Sequence, residues 1–231
     1  MKYVQAVVGR PRRAKQPIRT LISKVGGDPV GIACSEWPTC RHCDKPMAFL
    51  AQLNLHEPVR VSDRFSFAYL FMCRGFRDER GCPSWDPEEG SNCVVLKSSP
   101  DASSLCACPG EHRFDDFELS ISERQEPVVE NSDMDELPDD AFLDASGKEF
   151  VHHHTSRIIK VGGIPIWMQS PETLHCPCCK GPMKFIAQVG SELENPGFGG
   201  YGFDVMAGEF FVFRCEAECS PQGAAMSLQT G

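Results

Sequence analysis

The sequence predicts a mainly β fold, of the β-rich α+β kind, in which two similar lobes are related by a pseudo-twofold axis. Three observations support this prediction: residues 24–53 recur without a gap at residues 160–189, each copy leads into an aromatic run that ends in cysteine, and the apolar runs have the length of buried strands. The chain has 231 residues, of which 41% are hydrophobic, so it is long and apolar enough to bury a core.

The repeat is read directly from the two segments, KVGGDPVGIACSEWPTCRHCDKPMAFLAQL and KVGGIPIWMQSPETLHCPCCKGPMKFIAQV. Identical positions include Lys24 and Lys160, Gly26 and Gly162, Gly27 and Gly163, Cys40 and Cys176, Cys43 and Cys179, and Gln52 and Gln188. Identity at so many fixed positions indicates an internal duplication rather than chance.

Each copy contains the same predicted elements in the same order. The Gly-Gly pair indicates a turn, because glycine adopts backbone angles that other residues avoid. The runs MAFLAQL and MKFIAQV, followed by FSFAYLFMC and GEFFVFRC, are rich in strand formers and predict buried strands. Between the copies, FDDFELSIS at residues 114–122 alternates as a strand does.

Charge divides the chain unevenly. Residues 98–150 carry 15 acidic and 3 basic side chains, whereas the flanking parts are close to neutral. We therefore predict a basic N-terminal arm at 1–19, a first β-rich zinc-binding repeat at 20–97, an acidic connecting segment at 98–150 and a second β-rich zinc-binding repeat at 151–231. From about residue 126 to 144 we expect a mobile acidic linker.

The cysteine content and the apolar runs bear on the compartment. No stretch approaches the roughly 18 consecutive apolar residues of a membrane span, and the first residues lack the apolar core of a secretory signal. Thirteen cysteines is an odd number, which fits a reducing compartment better than a complete disulfide framework. We expect a cytoplasmic protein in which clustered cysteines bind metal.

The paired cysteines have the spacing of structural zinc sites. In a zinc ribbon, two cysteines separated by two residues and a second pair brought alongside form a tetrahedron with Zn–S bonds of about 2.3 Å. Two structural zinc ions are therefore expected, one on Cys40, Cys43, Cys73 and Cys82 and one on Cys176, Cys179, Cys215 and Cys219. The gap between Cys73 and Cys82 is long, so Cys93 is an alternative fourth ligand. Buried reduced thiols are the competing interpretation of both groups.

Other patterns give weaker indications. Cys106, Cys108 and His112 are candidates for a third metal ion, and His152, His153 and His154 are better explained as a solvated loop. The CPCC segment at 176–179 also matches a thioredoxin-like redox pair, but a turn rather than a helix is expected after it. We find no nucleophile elbow, HExxH or paired-carboxylate motif, and a site of four thiolates has no open position for catalysis. We therefore predict that the protein is not an enzyme.

The motif order resembles the programmed cell death protein 2 family. The shared features are KVGG-x-P, Cys-x-x-Cys, Pro-Met, Phe-x-x-Gln and Phe-x-x-Cys, with CPCC, FIAQV and FRCEAEC in the second copy. The chain looks like a bacterial-type member, and it is more distantly similar to the YwqG-like proteins. The resemblance implies that the eight paired cysteines bind zinc, and that the protein acts as a chaperone for a ribosomal protein in ribosome biogenesis.

These observations favour a non-enzymatic, zinc-stabilised protein-binding module, a chaperone or adaptor for a protein client. By resemblance the client is a basic ribosomal protein, and exposed sheet edges or a groove between the lobes are the expected binding surfaces. One alternative is a nucleic-acid-binding zinc protein that uses Arg10, Arg12, Arg13, Lys15 and Arg19. Another is a toxin-neutralising partner. We expect neither nucleic acid nor a membrane to be the partner.

Overall fold

A computed structural model describes residues 3–77, 79–107, 109, 113–127, 159–191 and 208–230. Within these ranges the chain is mainly β, with two short 3₁₀ helices at Cys34–Glu36 and Arg74–Arg77. The strands are β1 (Tyr3–Arg13), β2 (Lys24–Val25), β3 (Ala48–Asn54), β4 (Phe67–Met72), β5 (Asn92–Lys97), β6 (Phe117–Pro127), β7 (Ile159–Gly162), β8 (Met183–Gly190), β9 (Glu209–Cys215) and β10 (Ala224–Gln229). No helix in the described ranges is long and apolar enough to span a membrane.

The ten strands form one antiparallel sheet in the order β10-β9-β8-β7-β1-β6-β2-β3-β4-β5. The sheet is nearly closed, because its two edge strands, β5 and β10, lie against each other. Backbone hydrogen bonds join this seam: the Leu96 amide donates to the Pro221 carbonyl and the Leu228 amide donates to the Trp85 carbonyl, each over 3.3 Å. The edges are therefore turned toward each other.

The core fills the inside of this sheet. β3 and β4 are continuous apolar runs whose residues are buried almost throughout, as the sequence predicts for strands covered on both faces. The largest apolar cluster takes side chains from both copies of the repeat, including Leu53, Leu70, Val189, Phe210 and Val212. The two copies therefore share one hydrophobic core.

The first residues form a central strand and not a basic arm. β1 pairs with β6 over the whole length of both strands and with β7 on its other side. Ala6, Val7 and Val8 are buried, and the basic side chains Arg10 and Arg12 are exposed near the end of the strand. The burial of these apolar residues and the hydrogen bonds along both edges of the strand outweigh the charges near its end. The division into four segments otherwise stays a prediction.

The strand predicted at 114–122 is confirmed as β6, which runs on to Pro127. Glu126 and Pro127, the first residues of the expected mobile linker, belong to this strand, and the rest of that segment, from residue 128 onward, lies outside the described residues. So do Cys108, His112 and His152–His154.

The two KVGG segments have the same local structure. Both glycines of each copy have positive φ, between 66° and 76°, as the predicted turn requires. Lys24 is fully buried, and its Nζ donates to the Asp116 carboxylate over 2.6 Å and to the Asp28 carbonyl over 2.7 Å. Lys160 is likewise buried and donates to the Glu126 carboxylate and the Ile164 carbonyl. Each lysine thus holds its own turn against a carboxylate, that of Asp116 just before β6 for Lys24 and that of Glu126 on β6 for Lys160.

The repeated glutamines and strands also correspond. The Oε1 atom of Gln52 accepts from the Val30 amide over 2.9 Å, and that of Gln188 accepts from the Ile166 amide over 3.0 Å. The β3–β4 pairing has a β-bulge between Phe49 and Ala51, and the β8–β9 pairing has one between Phe185 and Ala187. The repeated sequence therefore encodes repeated hydrogen bonds.

Candidate metal centres

The first centre is built from a turn and from the end of a strand. Cys40 and Cys43 lie in a tight turn before β3, in which the Cys40 amide donates to the Lys45 carbonyl and the Asp44 amide donates to the Cys40 carbonyl, each over 2.9 Å. Cys73 directly follows β4. Cys82 comes after the 3₁₀ helix at Arg74–Arg77, and its sulfur lies beside that of Cys73. The four sulfur atoms all lie within 4.8 Å of one another.

Hydrogen bonds to sulfur surround this first centre. The Cys40 sulfur accepts from the His42 amide over 3.4 Å, and the Cys73 sulfur accepts from the Gly75 amide over 3.3 Å. Burial opposes ionisation of Cys40, but the Ser91 hydroxyl and the backbone amides outweigh it and lower the pKa of this thiol to about 7. Burial raises the pKa of Cys82 to about 11. Cys40 is therefore the readiest thiolate of these two.

The second centre repeats this construction. The Cys176 amide donates to the Gly181 carbonyl and the Lys180 amide donates to the Cys176 carbonyl, each over 2.9 Å. Cys215 is the last residue of β9, and Cys219 follows after a turn. Together with Cys179 these cysteines again form a group whose sulfurs lie within 4.8 Å of one another.

The two centres differ in exposure. In the first centre Cys40, Cys73 and Cys82 are buried and Cys43 is half-buried, whereas in the second Cys179 and Cys219 are exposed. Burial opposes ionisation of Cys176, but the amides of Cys179 and Cys178 lower the pKa of its thiol to about 7. Each centre thus contains one cysteine at its first knuckle position that ionises readily.

The chemistry of both donor sets fits a tetrahedral soft cation. Four thiolates within a few ångströms repel one another unless a cation neutralises them, and zinc accepts four sulfur ligands in this geometry. The structure brings together all eight cysteines predicted from the sequence. Cys93, the alternative fourth ligand, lies outside both groups, opposite Phe71 in the β4–β5 pairing. Both groups can hold a metal ion, and the role of each cysteine as a zinc ligand stays a prediction.

A family model described as "Domain of unknown function (DUF1963)" matches residues 23–173, which is more than half of the chain. The chain belongs to the DUF1963 family. This is the YwqG-like family, so the broader of the two resemblances is confirmed. No protein in the curated set matches the chain. The DUF1963 match includes the whole first centre and ends before Cys176.

One cysteine pair of this DUF1963 protein was missed by sequence reasoning. Cys34 and Cys106 form a disulfide across 72 residues of sequence. Cys106 is therefore not available as a ligand for the third metal ion that we considered with Cys108 and His112. Neither cysteine has a counterpart in the second copy of the repeat, so the duplication gave no signal for the pair. The disulfide also departs from the expected reducing compartment, and the cytoplasmic location stays a prediction.

An apolar groove crosses the centre of the sheet. Its lining includes Val7, Gly9, Leu119, Ile121, Ile159 and Val161. Glu57 and Pro58, from the loop between β3 and β4, form part of its rim. Ile121 is a large apolar side chain of this lining that stays 49% exposed. The sequence predicted a groove between the lobes but not its lining residues, because these depend on the pairing of β1 with β6 and β7.

Proposed function

We propose that each four-cysteine group holds one structural zinc ion. The support is the donor set: four sulfurs within 4.8 Å of one another, with backbone amides directed at the knuckle sulfurs. Four protein thiolates complete the zinc coordination and leave no position for a substrate. The metal would therefore stabilise the fold and would take no part in turnover.

This proposal is tested by metal analysis of the purified full-length protein. We expect close to two zinc ions per chain, with eight cysteines protected from a thiol reagent until the protein is unfolded. Cys178→Ser should keep both zinc ions and serves as the control, because Cys178 is exposed and lies next to the proposed ligand Cys179 but is not in the sulfur group. Protein without zinc whose thiols all react in the native state would contradict the proposal.

We also propose that the chain arose by internal duplication and has a pseudo-twofold axis between β1 and β6. The strand order supports this: β2-β3-β4-β5 lies on one side of the β1–β6 pair, and β7-β8-β9-β10 lies on the other in mirrored order. The matching bulges and buried lysines agree with it. Membership of the programmed cell death protein 2 branch is proposed on the same cysteine pattern.

We infer that the protein is a non-enzymatic binding module, a chaperone or adaptor for a protein client. The observation that carries this proposal is the apolar groove with the half-exposed Ile121. A concave site lined by apolar side chains offers a partner's apolar group a place to be buried. The sheet edges are less suited to bind a peptide, because β5 and β10 face each other.

We propose that the client is a basic protein that inserts an apolar segment into this groove. The net charge of the chain is −9, and the groove rim carries the exposed Glu57. Opposite charge on the client would favour association and exclude acidic competitors. A ribosomal protein has this chemistry, as the family resemblance implies. The nucleic-acid alternative is less favoured, because Arg13 is already paired with Asp115 and Glu118 lies opposite Arg12.

The binding proposal is tested by affinity capture from nuclease-treated lysate, followed by binding measurements with the purified captured protein. We expect a basic client that is lost with Ile121→Glu and retained with Trp85→Glu. Trp85 is the matched control, since it is 54% exposed and does not line the groove. Equal binding by both variants would contradict the groove assignment. Material that is captured from untreated lysate but not from nuclease-treated lysate would favour the nucleic-acid alternative.

A further inference from the structure

The second metal centre is far more accessible than the first. Cys40, Cys73 and Cys82 are at most 1% exposed, and they pack in an apolar cluster with Trp37 and Phe49. Cys179 and Cys219 are exposed, and so is the neighbouring Cys178. A competing ligand must reach the sulfurs to remove a thiolate-bound metal, so accessibility governs how fast metal leaves.

The second centre is also joined to the other copy of the repeat. Glu218 lies in the turn between Cys215 and Cys219, with a φ of 49°. Its carboxylate accepts hydrogen bonds from the Ser62 hydroxyl over 2.6 Å and from the amides of Asp63 and Arg64 over 3.1 and 2.9 Å. These partners belong to the loop at residues 55–66, between β3 and β4 of the first copy.

Arginines complete this junction from both sides. The Arg64 guanidinium donates to the Glu218 carbonyl over 2.6 Å. Arg214 donates to the Val61 carbonyl and to the Cys215 carbonyl, each over 2.9 Å, and its Nε lies 3.3 Å from the Glu218 carboxylate. The turn that carries two of the four sulfurs is therefore the same turn that holds the loop.

We propose that the second centre is an exchangeable metal site whose occupancy controls the docking of loop 55–66 through Glu218. The proposal rests on the zinc binding proposed above and adds a division of roles between the two centres. Metal bound at Cys215 and Cys219 fixes both ends of the turn, and this fixes the carboxylate of Glu218 toward the loop. Loss of the metal removes the bonds that tie Cys215 and Cys219 to the other two cysteines, the sulfurs take up protons, and the turn is freed.

The coupling reaches the groove that we assign to client binding. Glu57 and Pro58 of the same loop line that groove, and the Val61 amide donates to the Leu55 carbonyl over 2.8 Å. Removal of metal from the second centre would therefore alter one wall of the groove. Because coupling between two sites is reciprocal, undocking the loop should also weaken metal binding.

The first experiment measures zinc transfer from the full-length protein to a chromogenic chelator. We expect two phases of one zinc ion each, the fast phase at least about tenfold faster than the slow phase. Alkylation during the fast phase, followed by peptide mass spectrometry, should label the four second-centre cysteines and leave the first-centre cysteines unlabelled. A single phase, or label at the first centre, would overturn the inference while two bound zinc ions would still support the proposed function.

The second experiment tests the coupling with Glu218→Gln and with Glu216→Gln as its control. Glu216 is an exposed carboxylate in the same turn. We expect Glu218→Gln to accelerate the fast phase by about tenfold and Glu216→Gln to leave it unchanged. In native protein, hydrogen exchange of the Asp63 and Arg64 amides should rise when only the fast zinc ion is removed. Unchanged exchange there, or equal release rates in the two variants, would refute the coupling. Protein that holds no zinc would instead refute the proposed function.

Discussion

Asp116→Asn should destabilise the protein strongly, although it only replaces one carboxylate oxygen by an amide nitrogen and removes one negative charge. Asp116 is 8% exposed, and its Oδ1 lies 2.6 Å from the Nζ of Lys24, which is fully buried. Burial lowers the pKa of Lys24, and Asp116 is the main group that opposes this shift. Removing the carboxylate charge leaves the ammonium group in the core with neutral acceptors alone, the carbonyls of Ile18 and Asp28 and the amide oxygen of the asparagine.

The magnitude follows from the burial of this pair. Breaking a buried ion pair by removing one partner costs about 3–5 kcal/mol. We expect the lower end, about 3 kcal/mol, because asparagine keeps a hydrogen-bond acceptor at the same position. In a chain of this size 1 kcal/mol corresponds to about 2–4 °C, so Tm should fall by about 6–12 °C.

The neighbouring Asp115 provides the control. It pairs with Arg13 over 2.7 Å, but their side chains are 38% and 54% exposed, so Asp115→Asn should cost about 0–1 kcal/mol. Both variants would be measured by thermal and urea unfolding, with zinc present throughout. Equal losses of stability in the two variants would refute the argument that burial makes the Lys24 pair important.

Two further predictions concern the first centre and the second lysine. Cys82→Ser should lower the zinc content from about two ions to about one, whereas Cys93→Ser should leave it unchanged, because only Cys82 belongs to the sulfur group. The opposite result in metal analysis would make Cys93 the ligand. Burial lowers the pKa of Lys160 from 10.5 to about 8. Between pH 8 and pH 10.5 the lysine is therefore protonated in the unfolded chain and mostly neutral in the folded protein. The unfolding free energy of the native protein, relative to Lys160→Met, should therefore be flat below pH 8 and rise from pH 8 to 10.5. A constant difference across that range in urea titrations would contradict this assignment.

The metal centres were the most predictable part of the molecule. Most of their cysteines lie in short turns or next to strand ends, so their spacing along the chain largely determines how close their sulfur atoms lie. The internal repeat strengthened the prediction, because Cys40 and Cys43 have counterparts at Cys176 and Cys179. The choice of Cys82 over Cys93 could not be made this way, because it depends on how the segment after Cys73 returns to the turn.

The centre of the sheet was the least predictable part. β1 pairs with β6 more than one hundred residues later, as in the pair Tyr3 and Pro127. Such a pairing depends on which strands compete for the same neighbour, and local sequence carries little of that information. The basic residues around Arg12 suggested a solvated arm, while Ala6, Val7 and Val8 fix the strand in the core. The groove and the Cys34–Cys106 disulfide depend on the same long-range contacts.

The two buried lysines explain why β6 belongs to both copies of the repeat. Lys24 takes its carboxylate from Asp116, which precedes β6, next to β2. Lys160 lies on β7, and the residue opposite it on the neighbouring strand β1 is the apolar Val8. Glu126, one strand further along the sheet on β6, occupies that role and also accepts from the Ile164 amide over 2.8 Å. Since residues 116–126 neutralise the buried charge of both copies, neither repeat is electrostatically complete without β6 and the residue before it. The acidic segment between the copies is therefore partly a structural element of the sheet.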